Sequence, residues 1–429
     1  MVWAAAGQAY PASPPPHDTR APRRSSERSR DARVAPTSFP RGHMIYDEWS
    51  KNEQCFPCSA SDERLAALHA EMLDRAGRYI GFPNSRVFDY SHLARFLKFN
   101  INNIGDPFHP NSGTNTCAIE QEVIHFFASL FRLPEKDRWG YVTNGGTEGN
   151  LYGIHQGRET FPDAVLVFSE ESHYCLKKIA NILRMPSKTV PCRAHGEIDY
   201  DAFADVLAGL DGRPCVINLN IGTTFLGAID RPQRILEILE ARKCRNFHIH
   251  CDAALFGPML PFVEGAPVFD FRLPISSISF SGHKLLGSPI PCGLVLCRKS
   301  GVRAFDGSAE YVGSIDTTIS GSRDGFSVLL IWDSIMRLGL PGLAQLTRES
   351  FALAETATRA LAAIGATPQR NEFSNIVVFE NPGPALALKW QLATRGDFAH
   401  IVALPGVTES MLDRFVGDVK AGKGRRQPC

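Results

Sequence analysis

Apolar residues along the 429-residue chain change their spacing repeatedly, and each change marks an element. Residues 62–79 and 119–131 repeat apolar positions at helical intervals, the second placing Phe126, Leu130 and Phe131 on one side. Short β-rich runs then alternate with helical stretches. The run at 140–143 precedes a helix starting near Glu148, that at 164–168 one over 174–183, and that at 216–220 one over 232–242. Three further strands are predicted at 247–250, 277–280 and 293–297. Such alternation implies an α/β domain, a mainly parallel central sheet flanked by helices, with ligands at the carboxyl ends of the strands. A helix over 327–338 leads to a second section, with strands at 376–379 and 400–404, that predicts a smaller C-terminal α+β domain.

Residues 1–43 lack this patterning. They hold Pro14-Pro15-Pro16 and seven Arg against three acids, too little apolar surface to offset the entropy of ordering, and read as a disordered extension. They are Arg-rich like a transit peptide, yet carry acids and many prolines, and Met44 offers an internal start. The 44% apolar and 21% charged content is that of a soluble globular protein, and a net charge of +1 gives no bulk attraction to nucleic acid or anionic membrane. No uninterrupted apolar run reaches the roughly 18 to 20 residues of a membrane span. Eleven scattered cysteines suggest free thiols in a reducing, cytoplasmic setting. Cys55-Phe-Pro-Cys58 has no second ligand pair, so no metal site is expected.

The unusual residues fall just beyond strands. Ser281-Gly282-His283-Lys284 follows one, in an apolar neighbourhood. Partial burial lowers an ammonium pKa and leaves an amine able to attack an aldehyde, whereas the plain alternative is a lysine packed at a strand end. Asp252, followed by Ala253 and Ala254, closes another strand. A carboxylate there would keep the pyridine nitrogen of pyridoxal phosphate protonated, or would merely cap a helix. Thr143-Asn-Gly-Gly146-Thr147-Glu-Gly-Asn150 joins a strand to a helix whose N-terminus favours an anion at Gly146 and Thr147. It matches neither the nucleotide P-loop nor the dinucleotide fingerprint, and alone would pass for a glycine turn. His173 could stack on an aromatic ring or serve structure, and Thr223, in Gly222-Thr223-Thr224, could bond a phenolic oxygen or form a turn.

Together these motifs, with Thr318-Ile-Ser-Gly-Ser-Arg323, resemble the group II pyridoxal-dependent decarboxylases, in order from about Tyr79 to Val416. Within that group the likeness is to bacterial histidine decarboxylases and plant serine decarboxylases. The resemblance implies the fold-type I architecture, pyridoxal 5'-phosphate as cofactor, and a homodimer or higher homo-oligomer with sites at the subunit interface. It implies Lys284 as the lysine holding the cofactor as a Schiff base, Asp252 as partner of the pyridine nitrogen and His173 as the stacking residue bordering the substrate. Ser281 and His283 would help Gly146 and Thr147 hold the phosphate, with Thr223 and Ala254 also at the cofactor. Tyr311 falls in the segment resembling the family's catalytic loop, as proton donor to the reacting carbon, and Ser374 matches a substrate-lining position.

The implied layout is an extension (1–43), a helical segment (44–90), a large cofactor-binding domain (91–325) and a small domain (326–429). There are departures. The family usually has threonine two positions after Ser374, where this chain has Ile376. Ser288 and Ala253 resemble the histidine enzymes, while Phe256 and Trp390-Gln-Leu-Ala393 also occur in the serine type. The expected reaction is decarboxylation of an L-amino acid, histidine before serine before another. An aminotransferase or lyase on the same fold, with Arg323 mistaken for a carboxylate anchor, and a catalytically silent relative are the competing readings.

Overall fold

The computed structural model describes residues 58–83, 85–86, 88–303 and 313–424. Residues 1–43, Cys55, the Cys58 side chain and Tyr311 lie outside the described residues. The chain divides into two units, Met1–Leu68 and His69–Cys429. Among the described residues, the first holds only the opening turns of helix α1 (Cys58–Ala76), and the second holds the rest.

In chain order the second unit then contains β1 (Asn102–Ile104), α2 (Cys117–Leu130), β2 (Arg138–Thr143), α3 (Gly146–Thr160), β3 (Val165–Ser169), α4 (Cys175–Ile182), β4 (Ser187–Val190) and α5 (Tyr200–Ala208). Next come β5 (Cys215–Asn220), α6 (Pro232–Ala241), β6 (Phe247–Asp252), β7 (Ser277–Ser281), β8 (Gly293–Arg298), β9 (Ser322–Asp324) and α7 (Gly325–Ala363). The last elements are β10 (Ile376–Glu380), α8 (Pro384–Lys389), β11 (Ala393–Arg395), β12 (Phe398–Val402) and α9 (Glu409–Gly424).

The central sheet has the order β2-β8-β7-β6-β5-β3-β4. Strands β7, β6, β5, β3 and β4 run parallel, and β8 is antiparallel to both its neighbours. Strands β3 and β5 are buried along their whole length, which is why they read as unbroken apolar runs rather than alternating ones. Edge strand β4, Ser187-Lys-Thr-Val190, exposes its first three residues and carries no apolar pattern to announce it.

One sheet face packs Ile217, Ile249 and Phe280 against Phe127 of α2 and Ile331 of α7. Burying each such side chain contributes about 1.5–3 kcal/mol. On the other face α3 lies unusually close, because Gly149, Gly153 and Gly157 form one side of it. A Cβ on Gly149 would meet Ser279 Cβ at 2.8 Å, one on Gly153 would meet His250 Nδ1 at 2.1 Å, and one on Gly157 would meet Val216 Cγ2 at 2.7 Å. Residues i, i+4 and i+8 share a helix face, so the spacing fits the contact.

The helix expected over 327–338 starts at Gly325 and runs to Ala363, broken at Gly339 (φ 55°) with Pro341 opening the second half. Its composition over one stretch would suit a membrane span, but Val328, Leu330, Ile331, Ile335 and Leu343 are buried in the protein core. Beyond it, β10, β12 and β11 form an antiparallel sheet whose Val377, Phe379 and Ile401 pack with Leu361, Trp390 and Phe415. Strand β9 pairs with β1, placing Arg323 in the interior.

Candidate active site

The carboxyl ends of β5, β6 and β7 and the start of α3 border one cavity of about 330 Å³. It is lined by Gly146, Thr147, His173, Thr223, Asp252, Ala254, Ser281, His283 and Lys284, residues scattered over more than a hundred positions of sequence. A separation of these groups would have left no common ring for them to hold. Ser374 is not at this surface. It is fully buried, its Oγ accepts from the Ile376 N–H (3.0 Å) and packs at the turn of Gly227, and Ile376 lines the cavity instead.

Burial pushes the Lys284 ammonium below its ordinary value, and the Asp252 carboxylate opposes that shift. The His173 imidazole is likewise lowered by burial, against a raising effect of Asp252, which favours the neutral ring. Its Nδ1 faces the Cys175 N–H at 3.4 Å. His283 Nδ1 lies 2.9 Å from the Cys292 carbonyl, to which it donates, and this fixes the ring. Thr223 Oγ1 accepts from the Ala228 N–H at 3.0 Å, leaving its own proton to donate.

Asp252 is held by groups that no single motif announces. Its Oδ2 accepts from Asn150 Nδ2 at 2.7 Å and its Oδ1 from the Ala254 N–H at 3.2 Å. Asn150 Oδ1 takes the Ser279 hydroxyl at 2.6 Å and faces His250 Nε2 at 3.0 Å, while His250 Nδ1 meets Ser277 Oγ at 2.8 Å. Burial and the neighbouring His248 push the His250 pKa down to about 3, so the ring is neutral with one N–H. The consistent assignment runs from the Ser277 hydroxyl through His250 and Asn150 to the carboxylate, every donor facing an acceptor. The available signal was positional: Asn150 ends the glycine-rich motif and His250 sits two residues before Asp252 on β6.

Another part of the lining is apolar, made by Phe82, Pro83, Phe225, Ile376, Ala393 and Val402. His400 lines it too, stacked on Phe225 (4.7 Å between ring centroids), with its nitrogens facing the carbonyls of Phe225 (2.9 Å) and Gly81 (3.0 Å). Arg395 lies over the other ring, 4.4 Å from the Phe225 centroid, and grips Glu171 at 2.8 Å.

Arg323 cannot anchor a substrate carboxylate. It is 3% exposed, pairs with buried Glu120, donates to the Gly105 carbonyl (3.1 Å) and lies over Tyr141. Breaking such a buried pair costs about 3–5 kcal/mol, so it belongs to the fold. Among the described residues no cluster of metal ligands occurs.

Residues 87–367 match the model of the pyridoxal-dependent decarboxylase conserved domain. This chain belongs to that family. It is 41% identical to a histidine decarboxylase of Vibrio campbellii, over 84% of this chain and 95% of that one. It is 40% identical to serine decarboxylase 1 of Oryza sativa subsp. japonica, over 83% of this chain and 74% of that one. Its fold superposes on the L-methionine decarboxylase of Streptomyces sp.590 with a TM-score of 0.80 at 26% identity, covering 86% of this chain and 96% of that one. The protein is therefore a carboxy-lyase that uses pyridoxal 5'-phosphate. The decarboxylase's cavity fits that group: a Cβ on Gly146 would stand 2.6 Å from Ser281 Oγ, so the glycine keeps open a cradle of N–H and hydroxyl donors, with an amine and a carboxylate in the same cavity.

Proposed function

We propose that this decarboxylase converts L-histidine to histamine and carbon dioxide. The observation that carries the reading is the meeting of Lys284, Asp252 and Gly146 in one cavity of a chain 41% identical to a histidine decarboxylase. Bound, pyridoxal phosphate supplies an electron sink for the bond that breaks. Lys284 would hold it covalently, its amine made available by burial. Asp252, oriented by Asn150, would keep the pyridine nitrogen protonated. Gly146, Thr147, Ser281 and His283 would hold the phosphate, and Thr223 would donate to the phenolic oxygen. His173, on the cavity wall, would stack on the ring and border the substrate carboxylate. Tyr311 would return a proton to Cα.

L-Serine, giving ethanolamine, is the second reading. It is supported by the 40% identity to the rice enzyme and by Phe256 and Ala393 on the cavity wall. We also infer a homodimer: Leu97 and Phe99, 65% and 53% exposed, are large apolar groups that a second chain would cover. Purified holoenzyme incubated separately with each standard amino acid, with amines identified by mass spectrometry, should yield histamine at the highest rate. Ethanolamine or another amine formed faster would remove histidine from the assignment.

A further inference from the structure

The amino ends of the strands that carry the site hold a second reactive group. Cys215 opens β5 and is buried, while Cys244 lies half-buried between α6 and β6. Their sulfurs are 3.9 Å apart. The two segments are pinned together by the Cys215 N–H, which donates to the Asn246 carbonyl at 3.1 Å. Five residue steps along the strand, about 17 Å at the usual rise, separate Cys215 from Asn220 on the cavity wall.

We propose that Cys244 and Cys215 form a peroxide-sensitive dithiol that closes to a disulfide, a modification site separate from the decarboxylase cavity. Cys244 has what a reactive thiol needs. Cys244 is the more exposed of the two sulfurs, and hydrogen bonding with the Cys215 sulfur and from the Asn246 N–H lowers its pKa to about 7 despite partial burial, while Cys215 is shifted up in turn. Cys117, Cys175, Cys192, Cys251, Cys292 and Cys297 are all shifted up, chiefly by burial. Arg213, Arg242, Lys243 and Arg245 line the same surface groove as Cys244, an electropositive setting of the kind that favours thiolates.

The chemistry closes with one hydroperoxide as oxidant. The Cys244 thiolate attacks a peroxide oxygen; the S–O bond forms, the O–O bond breaks, and hydroxide takes a proton to leave as water. The sulfur loses two electrons to the peroxide. Cys215 then attacks the oxidised sulfur; the S–S bond forms, the S–O bond breaks, and the Cys215 proton leaves with the hydroxyl as a second water. The resulting link joins the start of β5 to the turn before β6 across 29 residues.

The test is wild-type holoenzyme titrated with hydrogen peroxide, alkylated, digested without reductant and mapped by mass spectrometry. The expected product is a linked pair of peptides carrying Cys215 and Cys244, two hydrogens lighter than the reduced pair, with a midpoint of unfolding raised by a few degrees. In Cys215→Ser the link is absent and dimedone traps Cys244 instead; in Cys244→Ser both signals vanish. Recovery of Cys215 and Cys244 as unlinked thiols at a dose that oxidises Cys192 overturns the proposal. So does dimedone labelling unchanged by Cys244→Ser. The wild-type map needs no substitution, so a variant that fails to fold does not cloud the answer.

Discussion

The two walls of the cavity are built on opposite terms. The cofactor wall is polar, and its groups are already answered by protein: Asp252 by Asn150 and Ala254, His283 by Cys292, Thr223 by Ala228. The apolar wall of Phe82, Pro83, Phe225, Ile376, Ala393 and Val402 offers shape and apolar surface. A bonded polar wall tolerates little change, since removing one partner leaves another buried and unsatisfied, whereas an apolar wall can be resized at modest cost. The difference teaches where chemistry ends and selection begins.

Replacement of the amine should separate the walls most sharply. Lys284→Ala is expected to abolish the visible band of the bound cofactor and lower turnover by at least about a thousandfold. An unchanged band in the purified variant would remove Lys284 from the cofactor. Gly146→Ala, which sets a Cβ 2.6 Å from Ser281 Oγ, should weaken cofactor binding by about ten- to a hundredfold in dialysis and reconstitution, with fold preserved by circular dichroism. Asn150→Ala should lower kcat by about tenfold while changing KM little, because an interaction of about 1–3 kcal/mol is lost behind Asp252. Asn150→Ser should restore part of it, and equal rates in all three forms would break the relay.

The pH dependence sharpens the same wall. A lysine whose ammonium is lowered by burial has its free amine available at lower pH, so apoprotein should capture cofactor at a rate that levels off below the ordinary lysine value of 10.5. Asp252→Asn removes the group that opposes the shift and should move that midpoint lower still. A rate climbing beyond the ordinary lysine range would contradict the environment assigned to Lys284. The smallest effect belongs to the apolar wall: Ile376→Thr should change the ratio of histidine to serine turnover by about ten-fold or less, leaving the cofactor spectrum intact.

The polar wall was legible because its residues stand beyond strands in short, chemically unusual runs. Thr143 to Asn150, the close of β6 at Asp252 and Ser281 to Lys284 each break an apolar pattern with groups that need partners. The strands themselves were visible as buried apolar runs, and helix α7 was recognised as far as the break at Gly339. What escaped was of two kinds. Strand β4 rests on tertiary packing rather than a strong local pattern, β9 is three residues held by its pairing with β1, and helix α5 went unread although Asp199 caps it and Tyr200, Phe203 and Leu207 share its buried face. Asn150 looked like the tail of a turn, since its partners His250 and Ser279 are 100 and 129 positions away. Ser374 was assigned by position to the substrate, but it precedes β10 fully buried, its hydroxyl tying down the Ile376 N–H, while Ile376 lines the cavity.

The glycine side of α3 makes this helix a caliper. With Gly149 seated on Ser279, Gly153 on His250 and Gly157 on Val216, the helix rests at its least possible height over the sheet. That height fixes how far its N-terminal N–H groups stand from the carboxylate on β6. A span set by bare glycine backbone against buried side chains on the sheet has little room to relax, so it measures one length of ligand between acid and anion. Bulk added anywhere along that side would reset the gauge without touching a reacting atom.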